Sequence, residues 1–270
     1  MKIVIKVLYL TIFLGTIAAC KPAPSTLHEF SGAATVLPTD TVVLIKTPTN
    51  VPLQTFTPEV KLIPTETPEI DQTLKVLFVG NSYTFYNNLP ETFEKLMIAG
   101  GHEIVVEQST FGGWSLKNHA LSPETTEKIA NTNWDYVILQ EKSVVTNPEI
   151  SMYPAVRELN AQIEDIGAET ILFMTWGHRD GLESAGYPDY DSMQSQIKEN
   201  YQTIADELSL IIAPVGLAWQ NALTENPDLQ LWDADGSHPS KEGTYLAAHV
   251  FYAVLKHKNP DEFDYLAELP

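Results

Sequence analysis

The sequence holds one cysteine, Cys20, among its 270 residues. A lone thiol forms no internal disulfide and no thiolate cluster, so a cysteine-based metal centre is excluded and the fold must hold together without covalent staples. Basic residues are scarce as well. Sixteen lysines and arginines stand against 35 aspartates and glutamates, for a formal charge of −19. A surface that acidic repels phosphate backbones, and no Lys/Arg cluster offsets it, which argues against a nucleic-acid partner. The seven histidines are scattered, without the i, i+4 pairing of a helical metal site, and neither a metal nor another cofactor need be invoked. After the first twenty residues there is no apolar run long enough to span a bilayer or to form a hydrophobic lid.

What is present begins with an address. Residues 1–20 read MKIVIKVLYLTIFLGTIAAC. Two lysines precede a short apolar run and small residues follow, the layout of a secretory signal. The last four, Ile17, Ala18, Ala19 and Cys20, resemble the bacterial lipobox. That resemblance implies cleavage before Cys20, lipidation of its thiol, and a protein exported and anchored to a bacterial membrane with its folded part outside the cytoplasm. Two or three acyl chains would hold it there stably, where one would not.

Residues 21–72 are rich in proline and threonine, with Thr47-Pro48-Thr49, Thr57-Pro58-Glu59 and Thr67-Pro68-Glu69 among them. Proline removes backbone donors and favours polyproline II, so this stretch is expected to be a disordered, semi-stiff tether. From about residue 73 the pattern changes to that of a folded domain running to 270. Apolar runs at 75–80, 103–107, 136–139, 170–174 and 209–213 read as buried strands. Helical patterns fall at 89–99, 153–166, 191–208 and 241–256. Strands alternating with helices imply an α/β fold, a five-stranded parallel sheet covered on both faces, and the 44% hydrophobic content supports one core of that size. In such sheets ligands bind beyond the carboxyl ends of the strands.

Two segments at strand ends carry chemistry. The first strand runs into Gly80-Asn81-Ser82-Tyr83, which puts a serine on the site-forming edge. This is not the G-x-S-x-G elbow of α/β-hydrolases, and a structural turn would look similar. Near the other end stands Asp235-Gly236-Ser237-His238, followed by Ser240 as the expected N-cap of the last helix. A serine nucleophile needs a base for its proton and a carboxylate to fix the base's tautomer, and an aspartate three residues before a histidine can do the second job locally.

Together these segments resemble the SGNH (GDSL-like) serine hydrolases, over most of residues 74–258. The resemblance implies a flavodoxin-like three-layer α/β/α sandwich and a catalytic triad of Ser82, Asp235 and His238. It further implies an oxyanion hole built from the amides of Ser82 and Gly113, the latter in Gly112-Gly113-Trp114-Ser115. Two departures stand out. The family's aspartate before the serine is Asn81 here. The glycine-asparagine block after the third strand is missing, and Gln140-Glu141-Lys142-Ser143 takes its place. Gln140 is therefore expected to supply the third oxyanion donor.

Trp114, Trp176, His178 and Arg179 are candidate substrate contacts, with core packing the competing reading for the tryptophans and the favoured one for Trp219. His102, His119, His249 and His257 carry no pattern and read as structural or surface residues. The expected function is hydrolysis of a short acyl ester, acetyl first, on a carbohydrate, by a monomer. The alternatives are a lipase or thioesterase on lipid substrates, and a lipoprotein that binds a glycan or solute without catalysis. The last has no need of serine, aspartate and histidine in triad order.

Overall fold

The computed structural model describes residues 73–256. Cys20, the signal-like segment and the 21–72 tether lie outside the described residues. Five strands form one sheet: β1 (Leu74–Gly80), β2 (Ile104–Thr110), β3 (Tyr136–Leu139), β4 (Glu169–Phe173) and β5 (Ile211–Ala213). Their order is β2-β1-β3-β4-β5 and every pair is parallel. This is the flavodoxin-like winding, in which the chain reverses direction across the sheet between β1 and β3. The cleft that the reversal opens lies at the C-terminal ends of those two strands.

Alternation along the strands sorts the side chains into two cores. Val76, Phe78, Ile138, Ile171 and Phe173 face one layer, which holds α2 (Leu89–Ala99), α7 (Val215–Glu225) and α8 (Lys241–Lys256). Leu77, Val79, Val137, Leu139 and Leu172 face the other, which holds α3 (Leu116–Ala120), α4 (Pro123–Ala130), α5 (Met152–Asp165) and α6 (Tyr190–Leu208). Because β1 is an interior strand covered on both sides, residues 76–80 are all buried and read as an unbroken apolar run. Among the described residues no helix is long and apolar enough to cross a membrane.

The strand and helix positions expected from the sequence hold to within one residue, except at the end of β2 and the start of β5. β2 extends to Thr110 because it is an edge strand: Glu107 and Gln108 are exposed, so its polar half carries no apolar signal. β5 starts at Ile211 rather than 209. Ser209 adopts a left-handed conformation (φ 57°), and its N–H caps α6 on the Ala205 carbonyl. The sequence reading missed α3, α4 and α7. The first two are short, and α4 begins with a proline at its first turn, where proline costs a helix nothing.

Candidate active site

The nucleophile is placed by a cap. Past Gly80, Asn81 takes an extended conformation, and its Oδ1 accepts the Tyr83 N–H at 3.1 Å, starting the one-turn helix α1 (Ser82–Phe85). The Asn81 Nδ2 donates to the Trp114 carbonyl at 2.9 Å. An aspartate could perform the first task but not the second, since an ionised carboxylate only accepts. The asparagine thus ties the serine turn to the glycine loop.

The base arrives from the loop before α8. His238 Nε2 lies 2.8 Å from Ser82 Oγ, and its Nδ1 lies 2.5 Å from Asp235 Oδ2. The carboxylate can only accept, so Nδ1 carries the proton and Nε2 is left to receive the serine's. The other oxygen, Asp235 Oδ1, accepts the N–H groups of Ser237 and His238, each at 2.9 Å. Partial burial opposes the charge on Asp235, but the bond from the His238 ring and those two N–H groups outweigh it and bring its pKa down to about 2. The carboxylate is charged at any pH where the enzyme would work.

Aromatic rings fix the imidazole. Tyr86 stacks on His238 with ring centres 4.7 Å apart, and its hydroxyl donates to Asp233 at 2.5 Å. Tyr83 meets the same ring edge-on at 5.6 Å. The Tyr83 hydroxyl accepts from Ser143 Oγ at 3.2 Å and pairs with Ser237 Oγ at 2.5 Å, which in turn lies 3.1 Å from His178 Nε2. Neither tyrosine was singled out in the sequence. Their positions, one and four residues after the serine, would have been the signal.

The Gly112–Ser115 loop sits beside the serine turn. Phe111 N–H donates to Gly80 O at 3.2 Å, next to the Asn81–Trp114 bond. Gly112 and Gly113 are exposed, and Gly113 adopts φ 72°, which glycine takes without a Cβ penalty. Among the described residues no acceptor is paired with the N–H of Ser82 or Gly113. Both are available to an oxyanion.

Gln140 is not the third donor, and the expectation is corrected. Its side chain is fully buried. Its Oε1 accepts the Asn81 N–H and the Thr84 hydroxyl, both at 2.8 Å, and its Nε2 donates to Glu141 O at 2.7 Å. An N–H can only donate, so the carbonyl end of the amide must face Asn81, and the NH₂ end points back into the strand terminus. Gln140 holds the nucleophile turn from beneath.

The candidate substrate contacts divide. Trp176 is fully buried, sandwiched between Tyr83 (5.1 Å, planes 3° apart) and Trp219 (4.0 Å, 13°), so it cannot stack on a sugar. Instead its Nε1 donates to Ser237 O at 3.0 Å and props the triad loop. Arg179 does so through its main chain, donating to Gly236 O at 2.8 Å, while its side chain pairs with Asp180 in solvent. His178 is half-buried beside the triad. Burial lowers its pKa, with the Asp235 charge opposing, which favours the neutral ring. Trp114 is partly exposed, stacked on Phe111 at 4.1 Å, and stays open to ligand.

His119 is structural. Its Nε2 donates to Gly80 O at 2.8 Å, which leaves Nδ1 to accept from Thr125 Oγ1 at 2.9 Å, and Thr125 accepts in turn from Ser109 at 2.9 Å. This buried chain of bonds locks the carbonyl just before the nucleophile turn.

No protein-family model and no curated protein matches the chain. Solved structures do. A Slackia heliotrinireducens protein assigned to the SGNH hydrolases is 27% identical, with 68% of this chain and 99% of that one covered and a TM-score of 0.59. A Bacteroides uniformis protein of the DUF4886 family is 22% identical over 72% and 87% of the two chains (TM-score 0.61). An acetyl-xylooligosaccharide esterase from Geobacillus is 17% identical over 67% and 94% (TM-score 0.54). At these identities the last two show a shared fold.

Proposed function

We propose that this chain, an SGNH (GDSL-like) hydrolase by fold and triad, cleaves a short acyl ester, acetyl first, from a carbohydrate through an acyl-enzyme on Ser82. The observation that carries the reading is the continuous relay of 2.8 Å and 2.5 Å from Ser82 through His238 to Asp235. His238 Nε2 takes the serine proton as Oγ attacks the ester carbonyl. The N–H groups of Ser82 and Gly113 receive the oxyanion. The imidazolium, steadied by ionised Asp235, then gives its proton to the sugar oxygen as the ester C–O bond breaks, releasing the sugar as an alcohol and leaving the acyl group on Ser82. Water repeats the sequence to release the acid.

Two features support a carbohydrate over a lipid. A hollow of about 290 Å³ next to the His238 loop is walled by Tyr86, Asn87, Asp233, Pro239, Ser240 and Lys241, an evenly mixed lining whose carboxylate, amide and ammonium groups could meet sugar hydroxyls. The Geobacillus relative acts on an acetylated xylooligosaccharide. The test is acetate release from acetylated glycans and from p-nitrophenyl acetate, with Ser82→Ala as the blank. A fluorophosphonate probe should label the wild type and not the variant. Labelling that survives in Ser82→Ala would refute the nucleophile.

The lipobox-like tetrad supports a lipid anchor on Cys20 and a domain displayed outside the cytoplasm. Detergent phase partitioning tests it: Cys20→Ser should move to the aqueous phase with its activity intact. Equal partitioning of both forms would rule the anchor out.

A further inference from the structure

We propose that Glu141 is a positioning residue of the oxyanion hole, its carboxylate fixing the loop that presents the Gly113 N–H. The inference rests on the esterase reading and deepens it. Glu141 is 1% exposed, two residues beyond Leu139, the last residue of β3. Its Oε2 accepts the Leu116 N–H at 3.1 Å and its Oε1 accepts the Lys142 N–H at 2.7 Å. Its own N–H donates to the hydroxyl of buried Tyr201 on α6 at 3.0 Å. Leu116 is the residue at which the glycine loop re-enters regular structure, as the first residue of α3. The carboxylate therefore holds the far end of the segment that carries Gly112 and Gly113.

That segment needs holding. Two consecutive glycines have little side-chain packing of their own, and a Cβ built on either would meet nothing within 4 Å. The loop is fastened at three points: Phe111 N–H on Gly80 O, Trp114 O on Asn81 Nδ2, and Leu116 N–H on Glu141. An oxyanion donor is effective only when its aim is set before the charge forms, within a few tenths of an ångström. Removing the third fastening leaves the C-terminal side of the glycine pair held only through Trp114, by its carbonyl on Asn81 and its N–H on Phe111 O.

The pairing with Gln140 adds weight. Gln140 grips the serine turn through Asn81 and Thr84, and the adjacent Glu141 grips the glycine loop through Leu116. Both hang from one strand end, anchored by Gln140 N–H on Val79 O at 2.9 Å. Nucleophile and oxyanion donor are thus referenced to the same two residues, in the place where the glycine-asparagine block is missing. Burying a carboxylate here is costly: burial pushes Glu141 up to about 7, against the pull of the two N–H groups and of Lys142. An apolar residue would suit stability better, so the acid is placed where its acceptors are needed.

The test compares wild type, Glu141→Leu and Glu141→Gln as purified proteins. Three quantities are measured: kcat and KM on p-nitrophenyl acetate, and inhibition by an alkylboronic acid, whose tetrahedral adduct on Ser82 puts an oxygen in the hole. Glu141→Leu should lower kcat about 10- to 100-fold with KM within about threefold, and weaken the boronate by a similar factor. Glutamine accepts one N–H but turns an NH₂ toward the other, so it should fall between, about 3- to 10-fold down in both readouts. If Glu141→Leu does not fold, Glu141→Gln decides alone. Either folded variant keeping kcat and boronate affinity within twofold of wild type overturns the proposal, as does a fall in kcat with unchanged boronate affinity. A wild type that hydrolyses no ester and takes no label at Ser82 would instead overturn the esterase reading, and this proposal with it.

Discussion

His238 Nε2 and Ser82 Oγ stand 2.8 Å apart although 156 residues of chain separate them. The serine stands just past the end of the interior strand β1 and the histidine on the loop before the last helix, and the switch point of the sheet brings the two together. A contact of such sequence separation is held by tertiary packing, chiefly by the Tyr86 ring and the Trp176 prop.

The first expectation concerns the relay. Asp235→Asn presents an amide to a ring nitrogen that must carry the proton, so it favours the wrong tautomer. It should lower kcat by up to about 10⁴-fold, and His238→Ala should remove nearly all turnover. Release of p-nitrophenol from the acetate ester measures both. Full activity in Asp235→Asn would reduce the site to a Ser–His dyad.

Gly80→Ala should damage site and stability together. A Cβ there would come within 2.4 Å of Gln140 Oε1 and 2.6 Å of Thr84 Oγ1, the atoms that brace the serine turn. Overpacking of this kind costs about 1–3 kcal/mol, or a fall in Tm of roughly 2–12 °C for a domain of this size. Scanning calorimetry beside a kcat measurement checks it. Unchanged values for both would mean that the turn relaxes freely.

Stability should depend on pH through Glu141. Its folded pKa is raised from 4.5 to about 7, so the fold prefers the protonated acid and the unfolded chain gives up its proton first. Wild type should lose stability relative to Glu141→Gln as pH climbs from about 4.5 to 7, by up to roughly 3 kcal/mol. His119 acts in the opposite sense. Burial lowers its pKa, with the Gly80 bond opposing, so its contribution is lost as pH falls below 6.5. Urea titrations at pH 5 and pH 8 separate the two. A wild-type-to-glutamine gap that does not change with pH would contradict the Glu141 assignment.

Trp176→Ala should behave as a core mutation. The ring is fully buried in a stack with Tyr83 and Trp219, and truncating such a residue costs about 3–5 kcal/mol. Chemical denaturation measures it. A stable Trp176→Ala protein with raised KM on glycans alone would restore the sugar-stacking role.

These cases show what the sequence could and could not reveal. The sheet was legible because β1, β3 and β4 are buried on both faces, and burial writes an apolar run into the chain. The edge strand β2 and the short helices α3 and α4 were less legible, since half-exposed elements carry mixed residues. At the site, the order of Ser82, Asp235 and His238 gave the triad, because D-x-x-H is a local motif. Gln140 was placed at the correct strand end but given the wrong task, and for Trp176 the choice between sugar stacking and core packing stayed open. A strand end fixes where a residue stands, whereas the direction of its side chain depends on partners such as Asn81 and Trp219, which the chain order does not reveal.

The turn that carries Asp235 and His238 is closed on itself by the Trp232–Pro239 bridge and by the Asp233 N–H donating to the His238 carbonyl. Base and counter-ion are therefore one mechanical part, while the serine belongs to another, embedded in the middle of the sheet. Lifting that part away from the sheet withdraws proton acceptor and negative charge in a single movement, and the serine left behind is an ordinary alcohol. Reactivity then comes and goes as a whole.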